Sequence, residues 1–287
     1  MKRIKWLCLV LGLLTVSCQA NKQKETEIEQ VTSDGIKTIT VGEGVRVTWI
    51  SDNAEEHLTP VSTFPDAPAT LIEELNVQDG LKSTVSTFLV ETEGIKILFD
   101  TGIGGPNSCL TNRLQELGIS PLDIKYLYLT HYHGDHIGGM LQGDTLTFPN
   151  AEVYASRVEH EAWMSMDEEK NRLQQKTMES YRQQLHFFEY GDTLPGKVVA
   201  IEAIGHTPGH TVFQVGKLLI IADLIHGAEL QLSHPEICAK YDMDKQQAIE
   251  SRKRILEYAS ANELIMAGMH LPAPGFIEQS KRTITSL

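Results

Sequence analysis

Short apolar runs, many of which alternate with polar residues, dominate the chain and predict a fold rich in β-strands. Two hairpins are predicted, one with strands at residues 36–41 and 45–50, the other with strands at residues 83–91 and 95–100. Continuous apolar runs predict buried strands at residues 124–129, 218–222 and 264–269. A histidine or an aspartate follows each buried strand closely, so the ends of these three strands carry the candidate chemistry of the chain.

Helical patterns lie between these strands. Residues 110–117 predict a helix that ends at Gly118. Residues 157–188 are a long amphipathic stretch, which predicts either helices packed on the sheets by their apolar faces or a cap that sets substrate choice. Residues 51–81 have no clear period and contain prolines, which predicts an irregular arm.

The N-terminus has the pattern of an export signal. Residues 1–5 are basic, and the apolar run that follows is 11 residues long, too short to span a bilayer. Cys18 stands directly behind this run, after a small residue, which resembles a bacterial lipoprotein signal. We therefore expect a signal peptide at residues 1–17, a lipid on Cys18 and a flexible tether at residues 18–35. The protein would be anchored to a membrane in the cell envelope of a bacterium, on the periplasmic or outer-membrane side. An ordinary secretory signal with an incidental cysteine is the alternative.

Composition indicates that residues 36–287 form one globular domain. The chain is 41% hydrophobic and 22% charged, and its formal charge of −13 becomes about −16 without the three cationic residues of the signal. An acidic surface repels phosphate backbones, which argues against nucleic acid and for a small-molecule substrate. Cys109 and Cys238 are expected to be separate thiols. The sequence does not decide between a monomer and a homodimer.

The densest group of candidate ligands follows residues 124–129, in the stretch His131-Tyr132-His133-Gly134-Asp135-His136. His131 and His133 point the same way in an extended strand end, so their imidazoles can converge on one metal ion. Gly134 lets the backbone turn, and Asp135 and His136 then begin a helix, where they can bind a second ion. Imidazole and carboxylate groups at this spacing are ligands of the kind that zinc takes.

This stretch resembles the HxHxDH signature of the metallo-β-lactamase fold superfamily. The resemblance extends to Gly205-His206-Thr207-Pro208-Gly209-His210, which is similar to the superfamily's Gly-His-Thr-x-Gly-His loop. It includes Asp223 after residues 218–222, and His270 after residues 264–269. It implies an α/β fold of four layers, the αβ/βα sandwich, in which two mixed sheets lie face to face with helices outside and metals at one edge.

The resemblance also implies a role for each of these residues. Two Zn²⁺ ions are expected, with other divalent metals as alternatives. The expected ligands are His131, His133 and His206 for the first ion, Asp135, His136 and His270 for the second, and Asp223 as the bridge between them. Asp135 would also hold the attacking hydroxide or shuttle its proton. Asp100, in an Asp-Thr-Gly turn beneath the site, would accept a hydrogen bond that orients a ligand, and His210 would support its own loop.

Within the superfamily, the sequence around Asp223 and His270 looks like the branch of lactonases and methyl-parathion-type organophosphate hydrolases. The better-known acyl-homoserine lactonases have a tyrosine three residues after the bridging aspartate, where this chain has His226, which could donate a proton instead. The expected function is dinuclear zinc-dependent hydrolysis of small lactones, esters or related substrates. Two alternatives stay open: a mononuclear iron oxidoreductase of the persulfide dioxygenase type, and an envelope lipoprotein without catalysis.

Overall fold

A computed structural model of the chain describes residues 32–42, 44–55, 57–278 and 285–286. The signal peptide, Cys18 and nearly all of the tether lie outside these residues, so what the sequence predicts for them stays a prediction. Within the described part of the chain, no helix is both long enough and apolar enough to cross a bilayer.

The strands are short, and several consecutive strands are joined by turns of two or three residues. In chain order they are β1 (Thr32–Ser33), β2 (Ile36–Val41), β3 (Val45–Ser51), β4 (His57–Thr59), β5 (Leu81–Ser83), β6 (Ser86–Thr92), β7 (Ile95–Phe99), β8 (Tyr126–Tyr128), β9 (Leu141–Gln142), β10 (Thr145–Leu146), β11 (Glu152–Ser156), β12 (Leu185–Phe188), β13 (Thr193–Leu194), β14 (Val198–Glu202), β15 (Thr211–Val215), β16 (Leu218–Ile220), β17 (Ile265–Ala267), β18 (Phe276–Glu278) and β19 (Thr285–Ser286). The helices are α1 (Ala69–Glu74), α2 (Leu110–Glu116), α3 (Gly134–Ile137), α4 (Arg157–Met164), α5 (Glu168–Ser180), α6 (Ala228–Gln231) and α7 (Lys245–Ala261).

Two mixed sheets form the body of the protein. The first has the strand order β1-β2-β3-β6-β7-β8-β11-β12, and the second has the order β13-β14-β15-β16-β17-β18-β19. Parallel pairing joins β7, β8, β11 and β12 in the first sheet and joins β16 to β17 in the second. Both predicted hairpins are present, as the antiparallel pairs β2–β3 and β6–β7. Glu93 and Gly94 both have positive φ, which suits the tight turn between β6 and β7.

Buried apolar side chains fill three interfaces and so define four layers. Between the sheets, the rings of Phe99, Tyr128 and Phe213 lie with centroids 5.4 to 5.8 Å apart. A second cluster joins the outer face of the first sheet to α2, α4 and α5, and a third joins the second sheet to α7. Helix–sheet–sheet–helix is the predicted αβ/βα sandwich, which the structure confirms.

Two details of the sequence interpretation were wrong. The arm at residues 51–81 contains β4, which pairs with β5, and α1. Its Phe64 packs in a small cluster with Leu81 and Leu230. These elements are three and six residues long, too short to produce a clear hydrophobic period. Residues 185–188 are strand β12 rather than the end of a helix, because they pair in parallel with β11. Cys109 and Cys238 are separate free thiols, as predicted.

Candidate metal centre

One edge of the sandwich gathers all seven predicted ligands. The segment after β8 in the first sheet supplies His131 and His133, and α3 directly after it supplies Asp135 and His136. The second sheet supplies the others from the segments after β14, β16 and β17, namely His206, Asp223 and His270. Because β16 and β17 are parallel neighbours, the segments that follow them lie side by side. The fold therefore explains why residues 139 positions apart in the chain meet.

The first group consists of three imidazoles and one carboxylate. His133 Nδ1 lies 3.0 Å from His131 Nε2 and 2.9 Å from His206 Nε2. Asp223 Oδ2 lies 3.7 Å from His131 Nε2 and 3.3 Å from His206 Nε2. The four ligand atoms lie within 4.8 Å of one another, so a single cation can contact all of them.

The second group lies on the other side of Asp223. His136 Nε2 is 3.0 Å from Asp223 Oδ1, and His270 Nε2 is 3.1 Å from Asp223 Oδ2. Asp135 lies against both imidazoles, 3.3 Å from His270 Nε2 and 3.9 Å from His136 Nε2. Asp223 thus contacts both groups with its two oxygens, which is the arrangement that a bridging carboxylate requires.

Hydrogen bonds at the outer ring nitrogens turn the imidazoles towards the centre. The Nδ1–H groups of His136 and His206 donate to Asp100 Oδ2 at 2.8 Å and to Asp242 Oδ1 at 3.1 Å. That of His270 donates to the Thr84 carbonyl at 3.0 Å. His131 Nδ1 lies 3.0 Å from the Thr130 hydroxyl, which itself donates to Asp100, so this nitrogen also carries the proton. With the outer nitrogen protonated, each of these four rings can offer its Nε2 lone pair inwards to a cation, as metal-binding histidines do.

The bare lone pairs fit a cation. Within the described residues, His136 Nε2 and Asp223 Oδ1 are buried and lie 3.0 Å apart, yet their geometry gives neither atom a hydrogen bond, although buried polar atoms are normally paired. The inward nitrogens of His131, His133 and His206 crowd together at about 3 Å, where lone pairs repel unless a positive charge lies among them. Imidazole and carboxylate donors without thiolate match zinc and similar divalent metals.

The electrostatics of the site favour the same occupant. Burial lowers the pKa of His131 well below its usual range and that of His133 to about 3, so both imidazoles are neutral, the form that binds metal. Burial opposes protonation of His270 as well, but the carboxylates of Asp223 and Asp135 outweigh it and raise its pKa to about 10. Burial disfavours the ionised form of Asp223, yet His136 and His270 hold its pKa well below the usual range.

The three other predicted site residues also lie here. Asp100 is fully buried beneath the site with φ of 59°, and its carboxylate accepts hydrogen bonds from His136 and from the backbone and side chain of Thr130. His210 accepts a hydrogen bond from the backbone N–H of Asp223 at 3.2 Å and donates to the Ala203 carbonyl. His226 stacks on His270 with ring centroids 5.2 Å apart, and its Nε2 lies 3.2 Å from Asp223 Oδ2.

A cavity of about 330 Å³ opens above the two groups. His133, Asp135, His206, His226 and His270 line its floor. Its walls include Tyr241 from the segment before α7 and His57, Thr59 and Ser83 from the small β4–β5 sheet. The sequence gave neither His57 nor Tyr241 a role in the site, because neither lies in a motif.

Buried charges around the ligands were also missed from the sequence. Asp242 receives the His206 Nδ1–H on one oxygen and Arg252 on the other. Glu159, on α4, contacts both loops that carry the first group. The one sequence signal for Glu159 was its i,i+4 spacing from Trp163 on an amphipathic helix, which places the two side chains on one face.

Comparison with known proteins agrees with this geometry. The family model for the metallo-beta-lactamase superfamily matches residues 81–270, a span that includes all seven ligands. The chain belongs to this superfamily. It is 31% identical to the uncharacterized protein YobT of Bacillus subtilis over 136 residues, which is 45% of this chain and 56% of YobT. It is also 31% identical to the exodeoxyribonuclease WalJ of Streptococcus pneumoniae over 43% of this chain and 41% of WalJ, so it spans about half the length of these curated relatives.

A solved structure matches the fold over more of its length. The dizinc quorum-quenching lactonase AidC, determined in complex with a product, is 28% identical in sequence. The two folds superpose with a TM-score of 0.78 over 86% of this chain and 94% of AidC. The family match and the likeness to AidC support the expectation of a metal-dependent hydrolase in the metallo-beta-lactamase superfamily, and the two residue clusters described above could hold metal ions.

Proposed function

We propose that this protein is a dinuclear zinc hydrolase that cleaves small lactones, esters or related substrates. The observation that carries the proposal is the position of Asp223, whose carboxylate contacts imidazole nitrogens of both ligand groups. His131, His133 and His206 would hold one ion, and Asp135, His136 and His270 would hold the other. The likeness to AidC, which is itself a dizinc lactonase, supports the same proposal.

The size of the cavity is consistent with a small substrate. Its volume of about 330 Å³ is at the lower end of the range for pockets that bind small molecules. Tyr241 is 46% exposed at its rim, where an aromatic ring can contact an apolar part of a ligand. The acidic net charge of −13 opposes the approach of a polyanion such as DNA, the substrate that the name of WalJ indicates.

When bound, two divalent cations supply Lewis acidity towards a carbonyl oxygen and lower the pKa of a water molecule. The protein has to orient the substrate and move protons. Asp135 is placed to hold the attacking water by accepting a hydrogen bond from it, because it lines the cavity and its side chain is 36% exposed. Burial disfavours its ionised form, but His136 and His270 hold its pKa well below the usual range, so it is a carboxylate at neutral pH.

His226 is placed to deliver a proton to the leaving oxygen. It lines the cavity and its ring stacks on His270. The backbone N–H groups of His226 and Gly227 both donate to Gln231 Oε1, which fixes the backbone that carries the ring. Replacing His226 with Phe keeps the stacked ring but removes both nitrogens. We expect kcat to fall about 100-fold, at the lower end of what general acid–base groups contribute, with a smaller change in KM. Steady-state kinetics measure this, with the metal content checked in parallel. An unchanged kcat would exclude His226 as the proton donor.

Metal content tests the proposal as a whole. Elemental analysis of the chain from residue 19 onwards is expected to give about two zinc ions per chain, and removal of the metal with a chelator is expected to abolish hydrolysis of a lactone and ester panel until Zn²⁺ is restored. The His270→Ala variant should bind about one ion, because it loses a nitrogen from the second group only. His186→Ala is the matched control, since His186 is exposed and pairs with Glu152 away from the site.

Each alternative predicts a different result. One iron and no zinc per chain, with no loss of iron in the His270→Ala variant, would favour the mononuclear oxidoreductase. Two zinc ions without turnover of any lactone, ester or phosphotriester would contradict the proposed substrate class. Metal-dependent degradation of single-stranded or duplex DNA would place the protein with WalJ.

A further inference from the structure

Glu159 is a buried carboxylate between the two loops that carry the first ligand group. It is 1% exposed on α4, in the amphipathic stretch that the sequence left as packing helices or a cap. Its Oε1 accepts hydrogen bonds from the backbone N–H of Tyr132 at 2.9 Å and from Trp163 Nε1 at 2.7 Å. Its Oε2 accepts from the Thr207 hydroxyl at 2.8 Å and from the Gly209 N–H at 2.7 Å. Four donors from three segments thus meet on one side chain.

Two of these segments are the ligand loops themselves. Tyr132 lies between His131 and His133, and Thr207 follows His206 directly. The carbonyl of Tyr132 is also fixed, because Gln174 Nε2 on α5 donates to it at 2.8 Å. Both polar backbone groups of Tyr132 are therefore held by the helices. These bonds fix the two peptide groups that join Tyr132 to His131 and His133, and they therefore constrain the directions of the Cα–Cβ bonds of both histidines.

Trp163 connects Glu159 to His133, one of the predicted metal ligands. While its Nε1–H donates to Glu159, its ring packs edge-on against His133, with centroids 5.7 Å apart. The approach of α4 to the second loop is close: a Cβ on Gly209 would lie 2.2 Å from the backbone nitrogen of Glu159. Glycine at this position lets the helix and the loop come within hydrogen-bonding distance. The hydrogen bond from Gly209 to the Glu159 carboxylate therefore depends on the absence of a side chain at Gly209.

The chemistry of the four donors selects a carboxylate. Each of them is an N–H or O–H, so the acceptor needs two oxygens without hydrogen, and a neutral amide or carboxylic acid would face one donor with another. A buried carboxylate without a cation is costly unless hydrogen bonds surround it, and these four bonds satisfy that requirement. Such a group holds its neighbours in one arrangement, because moving either loop would leave the charge unsatisfied.

We propose that Glu159 is a positioning residue for the first metal position, which it builds by fixing the loops of His131, His133 and His206 against α4 and α5. The helices at residues 157–180 are then part of the support of the metal site in addition to any contact with substrate. This inference rests on the proposed dinuclear site, because it concerns the affinity of one of the two positions.

The test isolates that position. In the His270→Ala background one ion is expected to remain, and its affinity for Zn²⁺ is measured by competition with a chromophoric chelator. Adding Glu159→Gln should weaken this affinity about 10- to 100-fold, as is typical when a group that orients metal ligands is changed. Glu161→Gln in the same background is the matched control: Glu161 is an exposed residue on the same helix, so the same charge is lost without contact to either loop. Thr207→Val, which removes a single donor, should give a smaller loss.

A second readout needs no metal. In the metal-free Glu159→Gln protein, the backbone amides of Tyr132 and Gly209 should exchange with solvent at least tenfold faster, while amides in α7 keep the wild-type rate. Equal Zn²⁺ affinity in the Glu159→Gln and Glu161→Gln backgrounds, with unchanged exchange, would overturn the inference. If the His270→Ala protein binds no ion, the dinuclear proposal fails instead, and amide exchange still decides whether Glu159 fixes the loops. If Glu159→Gln does not fold, the Thr207→Val affinity decides, and no loss there contradicts the inference.

Discussion

Replacing Asp223 with Asn is expected to lower kcat/KM by about a thousandfold and to reduce the metal content below two ions per chain. The carboxylate contacts ligands of both groups, at 3.3 Å from His206 and 3.0 Å from His136. Asn keeps the size of the side chain but removes its charge and one acceptor oxygen. A unit charge pair at 4 Å is worth about 4 kcal/mol at an effective dielectric constant of 20. A loss of about 4 kcal/mol in the transition state corresponds to about a thousandfold in rate.

Elemental analysis and steady-state kinetics on the same preparation measure both effects. Asp167→Asn is the matched control, because the Asp167 side chain is 84% exposed and its ion pair with Lys170 is 3.8 Å long. Circular dichroism of both variants establishes that the fold is intact. An Asp223→Asn protein that kept two ions and wild-type turnover would show that this carboxylate does not bridge the two positions, and the dinuclear proposal would have to be abandoned.

The parts of the site that could be predicted from the sequence are those encoded locally. His131, His133, Asp135 and His136 lie within six residues, so the geometry of one strand end determines their relation. Asp223 and His270 each end an apolar run, and parallel strands bring such ends to one edge. The two hairpins followed from periodic patterns, whereas the layered sandwich was implied by the resemblance of the motifs to the metallo-β-lactamase superfamily.

The rest depends on contacts between distant elements. Glu159 and Glu161 are two residues apart on one helix, yet one is buried among four donors and the other is exposed. The i,i+4 spacing from Trp163 is the one difference that the sequence offers, and it does not reveal the four donors, because these come together only where α4 meets the loop after His206. Asp242 and Arg252 are a further case. Asp242 lies in a polar segment and Arg252 on a helix, and charged residues in such places are usually exposed to solvent, but both side chains are buried.

Arg252 is expected to be the residue whose loss destabilises the fold most among those discussed. It is 1% exposed, and its guanidinium donates to the carbonyls of Leu224 and Pro235, each at 2.8 Å, and to Asp242 Oδ2 at 3.0 Å. Replacing it with Met keeps most of the apolar volume but leaves the carbonyls and a buried carboxylate unpaired. Breaking a buried ion pair on one side costs about 3–5 kcal/mol, and we expect the free energy of unfolding of the metal-free protein to fall by that amount.

Chemical denaturation measures this change, and Lys253→Met is the matched control. Lys253 is the next residue of α7 and is exposed, so its loss should alter the free energy of unfolding by less than about 0.5 kcal/mol. The Arg252→Met/Asp242→Leu double variant separates charge from packing. If the cost arises from the uncompensated carboxylate, removing Asp242 as well should recover part of the lost stability, since apolar replacements of a buried pair are often tolerated.

The double variant should also change the metal site. Asp242 accepts the His206 Nδ1–H, and although burial disfavours its ionised form, His206 and Arg252 hold its pKa well below the usual range. Without that acceptor the His206 ring loses its fixed tautomer, so the double variant should regain stability while its Zn²⁺ affinity stays about 10- to 100-fold below wild type. Recovery of both together would mean that Asp242 does not orient His206. Recovery of stability without recovery of Zn²⁺ affinity would mean that the metal site requires the buried Asp242 carboxylate and that Arg252 compensates its charge.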